Sequence, residues 1–238
     1  DLSMPEEINR IVTDSITDYF FTTSTWAGEN LLKYGAEPST IHFVGNVMID
    51  TLHQNLSRIS APNFWNEFQL EKGNYIILTL HRPSNVDEEN SLIDLLKGID
   101  QMVGNKKVIF PIHPRTKAIL GEQNLSLKNI LLVEPQGYLN FMYLIKNSFA
   151  VITDSGGISE ETTVLGIPCF TLRTTTERPE TIEIGTNHLI GTSIKNLEKI
   201  FSDFLKNGAK KAGIPALWDG KASDRIISIL LEKYQKPQ

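Results

Sequence analysis

The 238-residue chain is 40% hydrophobic and 21% charged, an ordinary globular composition with length for one large domain, or one domain and part of another. Its net charge of −5, with no Lys/Arg run and only local pairs such as Lys210-Lys211, argues against nucleic acid as a partner. The single cysteine, Cys169, permits no intrachain disulfide and suits a reducing, cytoplasmic setting. No apolar run reaches membrane-spanning length, so no membrane partner is expected, and residues 1–20 lack the basic start and apolar core of a signal peptide. The abrupt opening on Pro5-Glu6-Glu7-Ile8-Asn9-Arg10 reads as the interior of a longer protein.

Pro5 at a helix start, acids behind it and apolar Ile8, Ile11, Val12 and Ile16 predict a helix over 6–16. A short strand follows at 19–23. Ser24 caps a helix to about Tyr34, which Gly35 stops. A strand at 41–44 ends at Gly45-Asn46, and 47–56 is helical, with a second unit beginning near Gly45. Beyond the break at Ser60-Ala61-Pro62-Asn63, strands at 75–80, 107–111, 129–133, 149–153, 169–172 and 188–190 alternate with helices at 90–102, 116–120, 138–146 and 158–165. Two helices, 194–207 and 221–234, close the chain. Such alternation predicts an α/β fold, a Rossmann-like parallel sheet with helices on both faces.

Polar residues gather just after the predicted strands: His81-Arg82, His113-Arg115, Gln136, Ser155 and Arg173. In open α/β sheets ligands bind at that edge. The junction Asp154-Ser155-Gly156-Gly157 would expose backbone N–H groups at the positive end of a helix, a receptor for phosphate. A tight strand–helix turn that merely needs glycine is the other reading. Neither a Walker loop nor Gly-x-Gly-x-x-Gly is present. Glu160 and Glu161 are expected in the first turn of that helix, where a carboxylate suits ribose hydroxyls better than phosphate and makes the ligand a nucleotide. His81 is a surface histidine or a donor and general acid/base beside a diphosphate; His113 bears the same argument more weakly. His42, His53 and His188 read as structural. No His-x-x-x-His pair or thiolate cluster exists, so no metal site is readable. Arg178, in the hydroxyl-rich stretch Thr174 to Glu180, either holds a phosphate or braces the glycine turn, with Glu177 and Glu180 as alternative salt partners. Ser155 lacks the Gly-x-Ser-x-Gly setting of a nucleophile. Tyr138, Phe141 and Tyr143 share a helix and are expected in the core, with Phe141 placed to lie beside a base as the alternative. Glu6 and Glu7 are ordinary helix-start acids or functional carboxylates.

Taken together, several motifs occur in a fixed order: Pro5 to Arg10, Gly45-Asn46-Val47-Met48-Ile49-Asp50, Thr79-Leu80-His81-Arg82, Pro135-Gln136-Gly137-Tyr138-Leu139 and Asp154 to Glu161. Gly166-Ile167-Pro168, Thr175 to Glu180 and Asp219-Gly220-Lys221-Ala222-Ser223 complete the series. This pattern resembles the non-hydrolysing UDP-N-acetylglucosamine 2-epimerase family nearly end to end. The resemblance implies two Rossmann-like domains of the GT-B arrangement. Residues 1–45 would end the first domain, 46–217 form the UDP-binding second domain, and 218–238 return as a helix toward the first. It implies reversible epimerisation of UDP-GlcNAc to UDP-ManNAc by elimination and re-addition of UDP, with no cofactor, in a protein that is a homodimer at full length. Residue by residue, it puts Ser155, Gly156 and Gly157 on the diphosphate, Glu161 on the ribose hydroxyls, and Gln136 and Phe141 beside the uracil. His81 becomes the catalytic histidine, Glu6 a catalytic carboxylate of the first domain, and Arg178 the arginine of the sugar or phosphate loop. Arg82 and His113 match positions tied to activation by a second UDP-GlcNAc. Pro83-Ser84-Asn85 stands where many relatives carry Arg-Glu-Asn or Glu-Glu-Asn. Further first-domain catalytic carboxylates would lie upstream of residue 1, so little activity is expected of these 238 residues alone. A hydrolysing epimerase, a GT-B glycosyltransferase and a non-catalytic UDP-binding module are the alternatives, and UDP-2,3-diacetamido-glucuronic acid the alternative sugar.

Overall fold

A computed structural model describes residues 5–81, 89–120 and 127–234. Contacts divide the chain into two compact units, one comprising Asp1–Thr51 with Ala216–Gln238 and the other Leu52–Pro215. Among the described residues, no helix is long and apolar enough to cross a membrane.

The first unit holds helix α1 (Pro5–Asp14), strand β1 (Phe20–Thr22), helix α2 (Thr25–Lys33), strand β2 (Ile41–Phe43) and the start of α3 (Val47–Asn55). β1 and β2 pair in parallel, Phe20 with Ile41 and Thr22 with Phe43. The Ser24 hydroxyl caps α2 by accepting the Ala27 N–H at 3.2 Å. From the other end of the chain comes the last helix, whose first N–H groups find a carboxylate distant in sequence: buried Asp50 accepts from Ala222 at 3.0 Å and from Ser223 at 2.6 Å. Burial works against ionisation of Asp50, yet these N–H bonds hold its carboxyl below the usual range. Trp218, 1% exposed, donates its indole N–H to the Thr23 carbonyl at 2.9 Å. Gly45, at φ +93°, is required sterically as well as conformationally, since a Cβ there would stand 2.0 Å from the Leu217 carbonyl oxygen.

In the second unit, after the one-turn helix α4 (Phe64–Glu67), six strands form one parallel sheet: β3 (Tyr75–Thr79), β4 (Lys107–Pro111), β5 (Ile130–Val133), β6 (Ala150–Thr153), β7 (Cys169–Thr171) and β8 (Asn187–Leu189). Between and after them run α5 (Glu89–Met102), α6 (Pro114–Leu120), α7 (Tyr138–Lys146), α8 (Gly156–Leu165), α9 (Pro179–Glu183) and α10 (Ile194–Asn207); the C-terminal helix of the first unit is α11 (Ala222–Tyr234). Strand sequences such as Tyr-Ile-Ile-Leu-Thr and Ala-Val-Ile-Thr are apolar throughout rather than alternating, because helices cover both faces. One face is packed by Ile76, Leu78, Phe110, Ile152 and Phe170 with Leu92, Leu96, Ile99, Leu197 and Phe201 from α5 and α10. His188 stacks on Phe170 at 5.2 Å, a structural role.

The strands lie in the order β5-β4-β3-β6-β7-β8. The chain moves outward from β3 to β5, then returns to place β6 on the other side of β3, with Ile77 beside Val151 and Thr79 beside Thr153. Connections on either side of that pair leave in opposite directions, which opens a crevice at the carboxyl ends of β3 and β6.

Candidate functional site

His81 follows β3, and Asp154 to Gly157 follow β6, so the strand reversal brings residues 73 positions apart into contact. Asp154 is fully buried and accepts twice from His81: from the backbone N–H at 3.0 Å and from the ring Nδ1 at 2.6 Å. The His81 ring is otherwise 61% exposed. With Nδ1 held, Nε2 is the nitrogen directed away from Asp154, which fixes both the tautomer and the face offered outward. Beneath this pair, the Thr79 and Thr153 hydroxyls lie 2.6 Å apart across the two strands, and Thr153 Oγ1 accepts the Ser155 N–H at 3.0 Å. The residue next to Asp154 is thereby fixed as well.

Ser155 is the N-cap of α8, in extended conformation and without a side-chain cap bond. Helical geometry begins at Gly156, two residues earlier than the apolar run suggests, because the first helical positions need no apolar side chain. Glu160 and Glu161 stand in the second turn rather than the first, and both are buried, at 1% and 5% exposure. Their carboxylates therefore do not compete at the helix opening, and the N–H groups of the first turn, left uncapped by the Ser155 side chain, remain suited to an anion.

Each of these buried acids has an assigned partner. Glu160 pairs with the Arg178 guanidinium through Nε, and Arg178 also donates Nη1 to the Glu177 carbonyl at 3.1 Å. Arg178 thus braces α8 through Glu160, a partner not named from the sequence, while its charge also acts on Glu180. Glu177 instead accepts from Arg173 Nη2 at 2.9 Å. Glu180 is buried, neither carboxylate oxygen has a hydrogen-bond donor among the described residues, and burial raises its pKa. Glu161 accepts the Tyr138 hydroxyl at 3.0 Å. Burial, assisted by the charge of Glu160 and opposed by that hydrogen bond, pushes Glu161 up to about 7. Tyr138 itself is 39% exposed, so it is not the core residue expected from its helix. Tyr143 is closer to that expectation, packed edge-on against Trp65 at 5.2 Å.

The remaining candidates lie as follows. Gln136, after β5, is half-buried and donates to the Glu134 carbonyl at 2.7 Å. Phe141 is half-buried on α7, the helix whose first residue, Tyr138, touches Glu161. His113 is exposed after β4, immediately before α6. Glu6 is exposed on α1 in the first unit. Arg82 lies outside the described residues. No cluster of metal-ligating side chains occurs among the described residues.

The site therefore combines an open helix N-terminus, a histidine aligned by a buried aspartate, and a buried carboxylate titrating near neutrality, all on one sheet edge. This chemistry suits a phosphate-bearing ligand with hydroxyls. Residues 1–231 match the family model described as UDP-N-acetylglucosamine 2-epimerase. A UDP-N-acetylglucosamine 2-epimerase of Methanocaldococcus jannaschii is 42% identical, with 97% of this chain and 65% of the relative covered. A crystal structure of the enzyme of that name from the same organism, in complex with UDP-GlcNAc and UDP, superimposes with a TM-score of 0.81 at 41% identity, covering 98% of this chain and 66% of the other. Another from Neisseria meningitidis, bound to UDP-GlcNAc, gives a TM-score of 0.83 at 29% identity over 96% of this chain and 65% of the other. The chain thus spans about 65% of the length of the curated relative from M. jannaschii. Fold and motif order agree with this match: the chain belongs to the UDP-N-acetylglucosamine 2-epimerase family.

Proposed function

We propose that this chain supplies the UDP-binding side of an enzyme that interconverts UDP-GlcNAc and UDP-ManNAc. The observation that carries the reading is the β3–β6 reversal, where Asp154 fixes His81 beside the open N-terminus of α8. Ser155, Gly156 and Gly157 hold the diphosphate through N–H groups and a hydroxyl, and the helix dipole stabilises its charge. Glu161, oriented by Tyr138, accepts from the ribose hydroxyls, while Gln136 and Phe141 flank the uracil. The motif order and the relatives bound to UDP-GlcNAc support UDP as the nucleotide.

The reaction removes the proton from C2 of the sugar while the C1–O bond breaks, so the C2–H electron pair becomes the C1=C2 bond and UDP departs with the C1–O electrons. Re-addition of UDP at C1 and of a proton on the opposite face of C2 yields the epimer. Charge develops on the diphosphate as it leaves, and preorganised N–H donors with a positioned histidine stabilise that charge. Here His81 acts at the leaving group, Arg178 sets the loop on the sugar and phosphate side through Glu160, and Glu6 is one of the carboxylates serving C2. Arg82 and His113 form a second UDP-GlcNAc site that activates the enzyme. The domain limits follow the same reading, with 46–217 as the nucleotide domain and 218–238 returning to the first. The full-length enzyme is a cytoplasmic homodimer.

Proton NMR with UDP-GlcNAc in D2O tests this. A chain extended to the relatives' length is expected to exchange the C2 proton for deuterium and to accumulate UDP-ManNAc, with residues 1–238 alone binding UDP and turning over little. Free ManNAc with UDP would indicate a hydrolysing enzyme, and transfer to an acceptor a glycosyltransferase. Binding of UDP without exchange by the extended chain would indicate a non-catalytic module.

A further inference from the structure

We propose that Arg173 is a further anion-binding residue of this site, its buried guanidinium donating to the same phosphates as the N-terminus of α8. The inference rests on the diphosphate reading above. Arg173 follows β7 by two residues, and its backbone is fixed on both sides: its N–H donates to the Thr171 carbonyl at 3.0 Å, and its carbonyl accepts from Gly191 at 2.9 Å. The residue is only 6% exposed. Its Nη1 lies 3.3 Å from the place a Cβ on Gly156 would occupy. Guanidinium and first helical turn therefore border the same space, and Gly156 serves a second purpose, since a methyl group there would press on the arginine.

Electrostatics makes this position unfavourable on its own. The amino end of a helix carries about half a positive charge, and Arg173 sets a whole one beside it. Its side-chain partner, Glu177 on Nη2, is 60% exposed and screened by water. Nε is buried and has no acceptor among the described residues, although a buried donor left unbonded is costly. A polyanion on the turn would reverse the sign of the first problem and offer acceptors for the second, and arginine suits phosphate because several N–H groups share one plane. The plainer role would be to anchor residues 174–178 through Glu177. That role alone requires neither the approach to Gly156 nor an unbonded Nε.

Titrating UDP and uridine into the full chain and into Arg173→Gln separates the two roles, because uridine keeps base and ribose and lacks the phosphates. We expect the UDP Kd to rise at least about tenfold, as loss of charge-assisted hydrogen bonds does, with the uridine Kd within about twofold of the parent. The dependence of UDP affinity on salt should also flatten. An unchanged UDP Kd, or equal weakening toward UDP and uridine, would overturn the proposal. Should the glutamine variant not fold, Arg173→Lys, which keeps the charge without the planar fork, must still lower the UDP-to-uridine affinity ratio by several fold; an unaltered ratio overturns the proposal. If the parent chain binds uridine and not UDP, or neither, the diphosphate reading falls along with this one. If the parent binds UDP and the variants bind it equally, only Arg173 is refuted.

Discussion

Glu161 exemplifies a group kept at a cost to stability. Its folded-state pKa is pushed up from 4.5 to about 7, chiefly by burial. Below pH 4.5 the carboxyl is protonated folded or unfolded and costs nothing. Between 4.5 and 7 the folded protein keeps a proton that the unfolded chain has released, so stability falls as pH rises. Above 7 the loss is complete, at roughly 3 kcal/mol from a rise of about two and a half pKa units. Glu161→Gln removes that titration. Glutamine can still accept the Tyr138 hydroxyl but must also house an amide NH2 at a cost of about 1–2 kcal/mol at every pH, so a net gain of about 1–2 kcal/mol is expected at pH 8, reversing to a net loss of about 1–2 kcal/mol near pH 4.5, where the parent carboxyl is neutral. Urea unfolding midpoints of parent and variant at pH 5, 6, 7 and 8 measure it. The same substitution replaces a charged acceptor by a neutral one at the ribose, so UDP should bind about tenfold more weakly to the variant at pH 8. Parallel stability–pH curves, or a variant less stable than the parent at pH 8, would refute the reasoning.

Removing Arg178 leaves Glu160 buried without its countercharge, so Arg178→Met should destabilise by about 3–5 kcal/mol, and adding Glu160→Gln should restore much of the loss; denaturant unfolding of the single and double variants checks both. Asp154→Asn replaces an acceptor that holds His81 by one that must also place an NH2, so the extended chain should lose at least about tenfold in C2-exchange rate, as measured by NMR in D2O. In the first unit, Trp218→Phe leaves the Thr23 carbonyl without its donor and opens a small void, which should cost about 1–3 kcal/mol in chemical unfolding without altering UDP affinity.

The parallel α/β architecture was legible because its signals are local. Continuous β-branched runs mark strands buried on both faces, and glycine or proline marks most of their ends. The sheet order was not legible, since nothing in residues 75–79 or 150–153 states that they will be neighbours. The contacts that shape the site share this character: Asp154 meets His81 across 73 positions, and Glu161 meets Tyr138 across 23. Arg178 shows the limit of proximity in sequence, since Glu177 and Glu180 are near in the chain while the Glu160 carboxylate it pairs with lies 18 positions away. The misplaced start of α8 came from following apolar periodicity, to which two glycines contribute nothing. The short helices α4 and α9 were missed for a related reason, as one turn is too brief to show a helical period. Arg173 was visible as a polar residue after a strand, but only its burial against Gly156 distinguishes it from a surface arginine.

In the proposed complex a UDP group sits on the first turn of α8, at the carboxyl ends of β3 and β6. Backbone amide NMR of the 238-residue chain, titrated with UDP, tests it residue by residue. Saturable shifts are expected at Ser155, Gly156 and Gly157, with further changes at His81 and around Gln136 and Tyr138. Inorganic pyrophosphate should reproduce those at the glycine turn while leaving the Gln136–Tyr138 region unmoved. No saturable shift with UDP, or shifts clustered away from the carboxyl ends of β3 and β6, would contradict it.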